Sequence, residues 1–593
     1  MRSDRRGGDK IIIAAYMIAA GLLIVLIRLW QLQVLQGGEY RKISESNRLR
    51  IIGVPAPRGI IFDRNGIPLV KNTPYFCAYL APGEFNMTGL PVLSRLLEIP
   101  EDELARKINR KGQGPLTPVR LKEGLSLREV SVVEARRSDF PGLMIDIEVS
   151  REYIYGSTGS HLIGYLGKLT PAQSKAPEYK DVPPEAFIGQ WGVEKLFDKS
   201  LRGTAGQRII EVDALGREIR LLQEKPPIKG TDLLLSMDIA LQKEAEKAFD
   251  GKAGALVAIK PDTGELLGLV SSPSFDPNQF ATGISYDEWT ELSEDKKLPM
   301  LNRAIQSQYP PGSTFKIITA IAGLEEGVIN DTTTVDCRGS ISYGKWSFGC
   351  WRKTGHNTVS LHRALVESCD VYFYEVGKRL GIDKIHDYAL RFGLGSTTGI
   401  PLGIEKKGLI PDTQWKLANR KAQWFLGETF VNAIGQGYVA ATPLQMAVMT
   451  SAVANGGNVY KPSLIKGEGP VLAGRANVNP ATLETIRNYL AGVVNEPNGT
   501  GWTARSAITK IAGKTGTAQV VGLKKGATHS GENLRDHAWF VAFAPVEKPE
   551  IALSVLVEHG GHGGAAAAPI AKKAVEAYLL SADKKKELLD VQN

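Results

Sequence analysis

The sequence predicts an α+β protein made of one membrane-spanning helix, a mixed segment of strands and helices, and a larger α/β sandwich. Three observations predict it. An apolar run fills Ile11–Ile27, and the chain is too long for a single hydrophobic core. Within residues 231–580, strand-like stretches at both ends enclose a helix-rich middle, the pattern of a sheet built from both ends of a domain.

Arg2, Arg5, Arg6 and Lys10 precede the apolar run, and Arg28, Leu29 and Trp30 close it. Crossing about 30 Å of hydrocarbon at about 1.5 Å per residue takes roughly 20 residues. Leu29 and Trp30 supply the extra length while Arg28 turns its charge outward. Basic residues ahead of the span place the N-terminus in the cytoplasm and the remaining chain outside. A cleaved signal peptide is the alternative, but Leu29-Trp-Gln-Leu-Gln33 lacks small cleavage-site residues, so a retained anchor is expected. The expected order is a cytoplasmic tail (1–10), the anchor (11–30), a mixed non-catalytic domain (31–230), the sandwich (231–580) and a charged, loosely ordered tail (581–593).

The 43% hydrophobic and 23% charged residues argue against wholesale disorder. The net charge of +9 is spread along the chain without an arginine-rich run, which argues against a nucleic-acid partner. In the mixed domain, Asn65-Gly66 signals a hairpin, residues 207–212 alternate as a strand, and Pro226-Pro227 with Lys229-Gly230 reads as a linker. Beyond it, Ser236–Phe249 reads as helix, and Ala255–Lys260 and Leu266–Val270 read as strands around the turn Pro261-Asp-Thr-Gly264. Ala518–Val521, Ala538–Ala544 and Ile551–Val557 are the expected closing strands.

Three short patterns carry chemistry: Ser313-Thr-Phe-Lys316, Ser368-Cys-Asp370 and Lys514-Thr-Gly-Thr517. Ser-x-x-Lys also occurs at Ser293, Ser463 and Ser581, and Lys-Thr-Gly recurs at Lys353, so context must sort them. Only Ser313 follows turn residues (Tyr-Pro-Pro-Gly) and opens an apolar helical run that ends near Gly327. A serine in a first helical turn feels the positive helix end, and a lysine one turn on shares its face. Apolar surroundings favour a neutral amine, as a general base requires. The bland reading of Ser313 is a helix cap with a solvated lysine. Ser368 and Asp370 can relay a proton and orient Lys316, or merely cap a second helix. At Lys514-Thr515-Gly516-Thr517 the glycine permits close approach of a ligand, and the amine and hydroxyls suit a carboxylate; the bland reading is a turn before an edge strand.

Of four cysteines, Cys337, Cys350 and Cys369 fall near these motifs, with His356 between them. One disulfide (Cys337–Cys350) beside a buried Cys369 is one reading; a Cys₃His shell for tetrahedral zinc is the other. Cys77 reads as a lone buried thiol, and His537, His559 and His562 as structural or close to substrate.

In this order the three motifs resemble the signature of the serine penicillin-recognising enzymes. Arg58-Gly, Asp63-Arg-Asn-Gly66, Gly192-Val-Glu194, Gly435-Gln-Gly437 and Thr442-Pro-Leu-Gln445 extend the resemblance to class B penicillin-binding proteins over nearly the whole chain. Asp370, where many relatives carry asparagine, resembles the elongation-specific subgroup.

The resemblance implies a pedestal-like, dimerisation-type domain followed by a β-lactamase-like fold with a central antiparallel sheet. It implies a D,D-transpeptidase in which Ser313 is acylated by stem peptides ending in D-Ala-D-Ala, and also by β-lactams. Lys316 would act as base, Ser368 as relay, Lys514, Thr515 and Thr517 as carboxylate binders, and the N–H groups of Ser313 and Thr517 as the oxyanion hole. It further implies a structural zinc on Cys337, His356 and Cys369, with Cys350 standing where relatives often have an acid, a polytopic glycosyltransferase of the shape-elongation-division-sporulation type as partner, and rod-complex scaffold proteins. A division or sporulation role, a D,D-carboxypeptidase, a β-lactamase and a β-lactam sensor are the competing readings. The large non-catalytic domain and short cytoplasmic tail argue against the last three.

Overall fold

The computed structural model describes the chain apart from residues 1–4, 39, 41–47, 110–117, 181, 184–185, 214–217, 282, 520–534 and 593. Side chains are not described for 5–10, 50–52, 218 and 582–592. The N-terminal helix spans Arg5–Trp30, and the apolar stretch within and beyond it, Ile11–Leu35, has no buried residue and is long enough to cross a membrane.

Two compact units follow, and their boundaries are not contiguous in sequence. The expected single domain over 31–230 is divided: residues 73–149 and 202–230 belong to the first unit, whereas 59–72 and 150–201 belong to the second with everything from Thr231 onward. In the first unit, Leu49–Val54, Gly206–Val212 and Glu218–Lys225 form an antiparallel sheet with Gly206–Val212 in the middle. Its separate core gathers Leu80, Leu93, Leu97, Leu104, Val119, Leu121 and Phe140.

In the second unit, the Asn65-Gly66 hairpin forms as the sequence implies. Asp63 Oδ1 accepts from the N–H groups of Asn65 and Ile67, each at 2.8 Å, and Gly66 takes φ +83°. Arg151 and Glu194 form a buried ion pair at 2.8 Å, and the same guanidinium donates to Gly59 O and Asn72 Oδ1. One buried cation thus ties three separate chain segments together.

The central sheet consists of β1 (Gly254–Ile259), β2 (Leu266–Ser272), β3 (Ala512–Ala518), β4 (His537–Ala544) and β5 (Ile551–Val557). Its order is β2-β1-β5-β4-β3, antiparallel throughout, so strands from both ends of the domain do interleave. The strands read as apolar runs because both faces are covered, and the period of two assigns each residue a side. Ala255, Val257 and Ile259 of β1, with Trp539, Val541 and Phe543 of β4, face the helical middle of the chain. Leu256, Ala258, Phe540 and Ala542 face the other way, against α1 (Ile239–Phe249) and the C-terminal helix Ala568–Gln592. That last helix runs on through most of the segment expected to be a loose tail.

The edge strand differs from expectation. It covers Ala512–Ala518 and so contains the Lys-Thr-Gly motif, whereas the expected strand began at Ala518; Val520 and Val521 lie outside the described residues. Alanine, glycine and lysine, five of the seven residues of Ala512–Ala518, are poor strand formers, and the ladder to β4 supplies the extended conformation.

Candidate active site

Ser313 lies in a 3₁₀ turn, Gly312–Phe315, ahead of the α-helix Lys316–Glu325 (α2). It is therefore just outside the first α-helical turn rather than within it. The turn is pressed against β3, and glycine makes that possible. A Cβ on Gly312, which takes φ +55°, would sit 2.7 Å from Thr517 O, and one on Gly516 would sit 2.8 Å from Pro311 O. The backbones of Ser313 and Thr517 are consequently neighbours, the placement an oxyanion hole shared between them needs.

Lys316 is fully buried, and its Nζ donates to Asp370 Oδ1 (2.7 Å), Ser368 O (2.9 Å) and Ser368 Oγ (3.3 Å). Lys514, also fully buried, donates to Ser368 Oγ at 2.9 Å and to Thr515 O at 3.1 Å. The Ser368 hydroxyl thus bridges two amines. Burial, reinforced by the charge of Lys316, holds the Lys514 ammonium well below the usual lysine range, with Asp370 opposing. The Ser368 hydroxyl thus links Lys316 to Lys514 in one hydrogen-bonded path.

Ser368 holds φ +57° between the helix Leu361–Val366 and the helix Asp370–Leu380 (α3), a conformation a non-glycine residue adopts at a cost. Asp370 anchors it: one carboxylate oxygen takes the Lys316 amine and the other accepts the Trp351 N–H at 2.8 Å. Thr515 Oγ1 donates to Thr500 Oγ1 (2.8 Å), and Gln436 Nε2 donates to Thr517 O (3.0 Å). The structure therefore brings Ser313, Lys316, Ser368, Asp370, Lys514, Thr515, Gly516 and Thr517 into one site. Trp351 and Thr500 join them without a local signal in the sequence, and Gln436 was marked only as the middle of Gly435-Gln-Gly437. The second Lys-Thr-Gly, at Lys353, stays in a loop.

The four candidate metal ligands also converge. Cys337, Cys350, His356 and Cys369 are all buried, and their donor atoms lie within 4.8 Å of one another. His356 Nδ1 is 3.6 Å from Cys337 Sγ and 3.5 Å from Cys350 Sγ. With Zn–S of about 2.3 Å and Zn–N of about 2.0–2.1 Å, a tetrahedral angle requires S···N of about 3.6 Å. All three thiols are free here, so the disulfide reading is not what the structure contains. Cys350 is held far down, to about 2, chiefly by a hydrogen bond from Cys369, whose own thiol is pushed up by the same contact. One thiolate beside two further sulfurs and an imidazole is a donor set that suits a soft divalent cation. Cys77 is buried and free, raised to about 11 by burial.

The histidines of the terminal strands lie beside the end of β3, His562 preceding Gly563, whose added Cβ would meet Gly516 O at 2.4 Å. His537, at the start of β4, pairs across the ladder with Ala518 and stands edge-on to Tyr309 at 5.3 Å. Its Nδ1 accepts the His559 N–H, and burial lowers it to about 4, so it stays neutral.

Comparison with known proteins gives the family. The family model described as "Penicillin binding protein transpeptidase domain" matches residues 254–576, and "Penicillin-binding Protein dimerisation domain" matches 53–235. A curated relative, the peptidoglycan D,D-transpeptidase MrdA of Acinetobacter baumannii, is 36% identical over 97% of this chain and 88% of its own. Among solved structures, the complex between penicillin-binding protein 2 and MreC from Helicobacter pylori superposes with a TM-score of 0.78 at 31% identity, covering 90% of this chain and 99% of that one. A structure described as showing coordination of polymerization and crosslinking by a peptidoglycan synthase complex gives 0.73 at 31% identity, covering 96% and 98%.

Proposed function

Because the chain belongs to the penicillin-binding protein transpeptidases and is most like penicillin-binding protein 2, we propose that Ser313 is the nucleophile of its cross-linking reaction. The protein is a peptidoglycan D,D-transpeptidase of the elongation type. The observation that carries the residue roles is the buried relay Lys316–Ser368–Lys514 behind the Ser313 turn.

In that reading Ser313 Oγ attacks the penultimate D-alanine carbonyl of a donor stem peptide and gives its proton to Lys316. The N–H groups of Ser313 and Thr517 hold the oxyanion; each such donor in acyl-transfer sites is worth about 10²–10³ in rate. The proton passes through Ser368 to the nitrogen of the departing D-alanine as the C–N bond breaks. An amine from a neighbouring strand then attacks the ester, loses its proton along the same route, and Ser313 is restored as the new amide forms. Asp370 keeps Lys316 aimed, and Lys514, Thr515 and Thr517 receive the substrate carboxylate. β-Lactams acylate Ser313 by entering the same reaction. Full-length protein with Ser313→Ala should form no covalent adduct with a fluorescent penicillin, and an adduct formed at the wild-type rate would overturn the assignment.

The second part of the proposal is a structural zinc on Cys337, Cys350, His356 and Cys369, supported by the tetrahedral spacing of the donors. Zinc there supplies no chemistry to the reaction; the four residues would fix the loop that carries Ser368 and Asp370. Purified protein should contain one equivalent of zinc, with Cys369→Ser lowering both zinc content and thermal stability. Less than a tenth of an equivalent, together with a disulfide, would end the idea. The Ile11–Leu35 span supports a single-pass anchor with the catalytic unit outside the cytoplasm. Rod-complex scaffolds of the MreC kind, and a polytopic polymerase, are the proposed partners.

A further inference from the structure

Between Cys337 and Asn357 the chain carries four basic residues and no acidic one. The segment folds into a two-stranded hairpin, Ser340–Tyr343 against Trp346–Gly349, rooted at both ends in the cysteine cluster. One face of the hairpin is anchored. Phe348 packs edge-on to Phe430 at 5.0 Å, and a Cβ on Gly427 would meet its ring at 2.9 Å. That face runs on to the cross-strand pair Tyr343–Trp346, whose members are 46% and 64% exposed, with Tyr343 also edge-on to Phe430 at 5.9 Å. Lys345 lies over the Trp346 ring at 5.6 Å.

Trp351, 56% exposed, completes the row on the side nearest the catalytic loop. Its backbone N–H is the group that holds Asp370, and its indole N–H donates to Glu367 O at 3.1 Å. Exposed lysine and arginine flank the aromatics: Lys353, Arg352 and Arg338, besides Lys345. Of the nearby acids, Asp336 is engaged by Arg338 at 2.8 Å, Glu367 lies 3.7 Å from Arg352, Asp370 accepts the Trp351 N–H, and Glu375 lies beside Ser340 and Ile341 on the hairpin's other strand.

We propose that this hairpin is a docking platform for the uncross-linked peptidoglycan strand. The apolar faces of sugar rings stack on Trp346 and Tyr343, and Lys345, Lys353 and Arg352 pair with stem-peptide carboxylates. Charge decides between occupants. A glycan strand with carboxylated peptides is a polyanion with flat apolar ring faces, which matches rows of aromatics among cations. The inference rests on the transpeptidase reading and adds to it a subsite outside the reacting atoms. Trp351 joins that subsite to the loop carrying Asp370, so strand docking and alignment of Lys316 share one support.

The test uses full-length protein in detergent and purified, insoluble peptidoglycan sacculi as the probe, with binding read by co-sedimentation. Trp346→Ala with Tyr343→Ala, and separately Lys345→Gln with Lys353→Gln, should each weaken binding about tenfold, and salt should weaken the wild type. The charge variant alters only exposed side chains, so it reports even if the aromatic variant folds poorly. Ser313→Ala should bind sacculi as the wild type does while losing penicillin labelling. If both hairpin variants bind sacculi as tightly as wild type, the platform is refuted and the transpeptidase assignment stands. If Ser313→Ala is still labelled, that assignment falls whatever the hairpin does. Retention of sacculus binding with loss of a protein partner would likewise refute the glycan occupant.

Discussion

Replacing Gly516 by alanine tests how tightly the nucleophile is built into the sheet. The added methyl would lie 2.8 Å from Pro311 O and 3.0 Å from both Thr314 Cγ2 and Trp539 Cβ. Ordinary contacts there exceed roughly 3.4 Å, so β3 and the Ser313 turn must part by about half an ångström. The nearest atom is a backbone oxygen two residues before Ser313, which cannot swing aside as a side-chain tip would. Overpacking of this kind costs about 1–3 kcal/mol of stability. The catalytic effect should be larger in proportion, because a displacement of about 1 Å costs on the order of 10²-fold when reacting groups are prealigned. The expected result is a fall of about 10-fold to 10²-fold in the second-order rate of acylation by a fluorescent penicillin, at temperatures where the variant remains folded. Gly66→Ala is the control: nothing lies within 4 Å of its added Cβ, though its φ of +83° costs some strain. A Gly516→Ala enzyme that acylates within twofold of wild type would refute the reasoning, because Ser313 would then not depend on the fit of β3.

Breaking the buried Arg151–Glu194 pair should be expensive. Glu194→Ala leaves a guanidinium buried without its carboxylate, a loss of about 3–5 kcal/mol. Spread over the roughly 430 residues of the second unit, that is a drop of about 3–6 °C in unfolding midpoint; no change would mean that the pair is not buried in solution. A pH effect should come from His161, buried against Pro299 O at 2.9 Å and depressed to about 4, mainly by burial. The unfolded chain takes up this proton near pH 6.5 and the folded chain does not, so stability is lost as pH falls from 6.5 toward 4. The loss from pH 7 to pH 4.5 is about 2.5 kcal/mol. His161→Phe should flatten the dependence of the unfolding midpoint on pH by that amount, and an unaltered slope would assign it elsewhere.

Much of the site was legible because its spacing is local. Ser313 and Lys316 are one turn apart, and Ser368 and Asp370 flank a single residue, so residue type and neighbours were enough to select them. What brings the pairs together is tertiary. Nothing adjacent to Trp351 or Thr500 in the sequence marks them, since they enter through one backbone N–H and one hydroxyl contributed across the fold. The edge strand was placed too late because apolar Val520 and Val521 drew the reading away from Ala512–Ala518, which is extended through its ladder with β4. Residues 59–72 and 150–201 read as part of one N-terminal domain because chain order is all a single sequence offers. Arg151, with partners at Gly59, Asn72 and Glu194, is packing that chain order does not announce.

The strand order β2-β1-β5-β4-β3 has a consequence for how the protein comes into being. The middle strand of the sheet is the last one synthesised, and Gly254 must wait for Val557, roughly 300 residues later, before it finds its partner. Closing a loop of that length costs about 5 kcal/mol in chain entropy before any contact returns it, and pairing at such range is slow. Until Ile551–Val557 emerges from the ribosome, β1 with β2 and β3 with β4 are two half-sheets with open edges, and Lys514 has no rigid support. A chain interrupted between Thr517 and Ile551 retains every residue of the candidate site and lacks the centre of its sheet. The order of strands thus withholds the completed sheet until nearly the whole chain has been made.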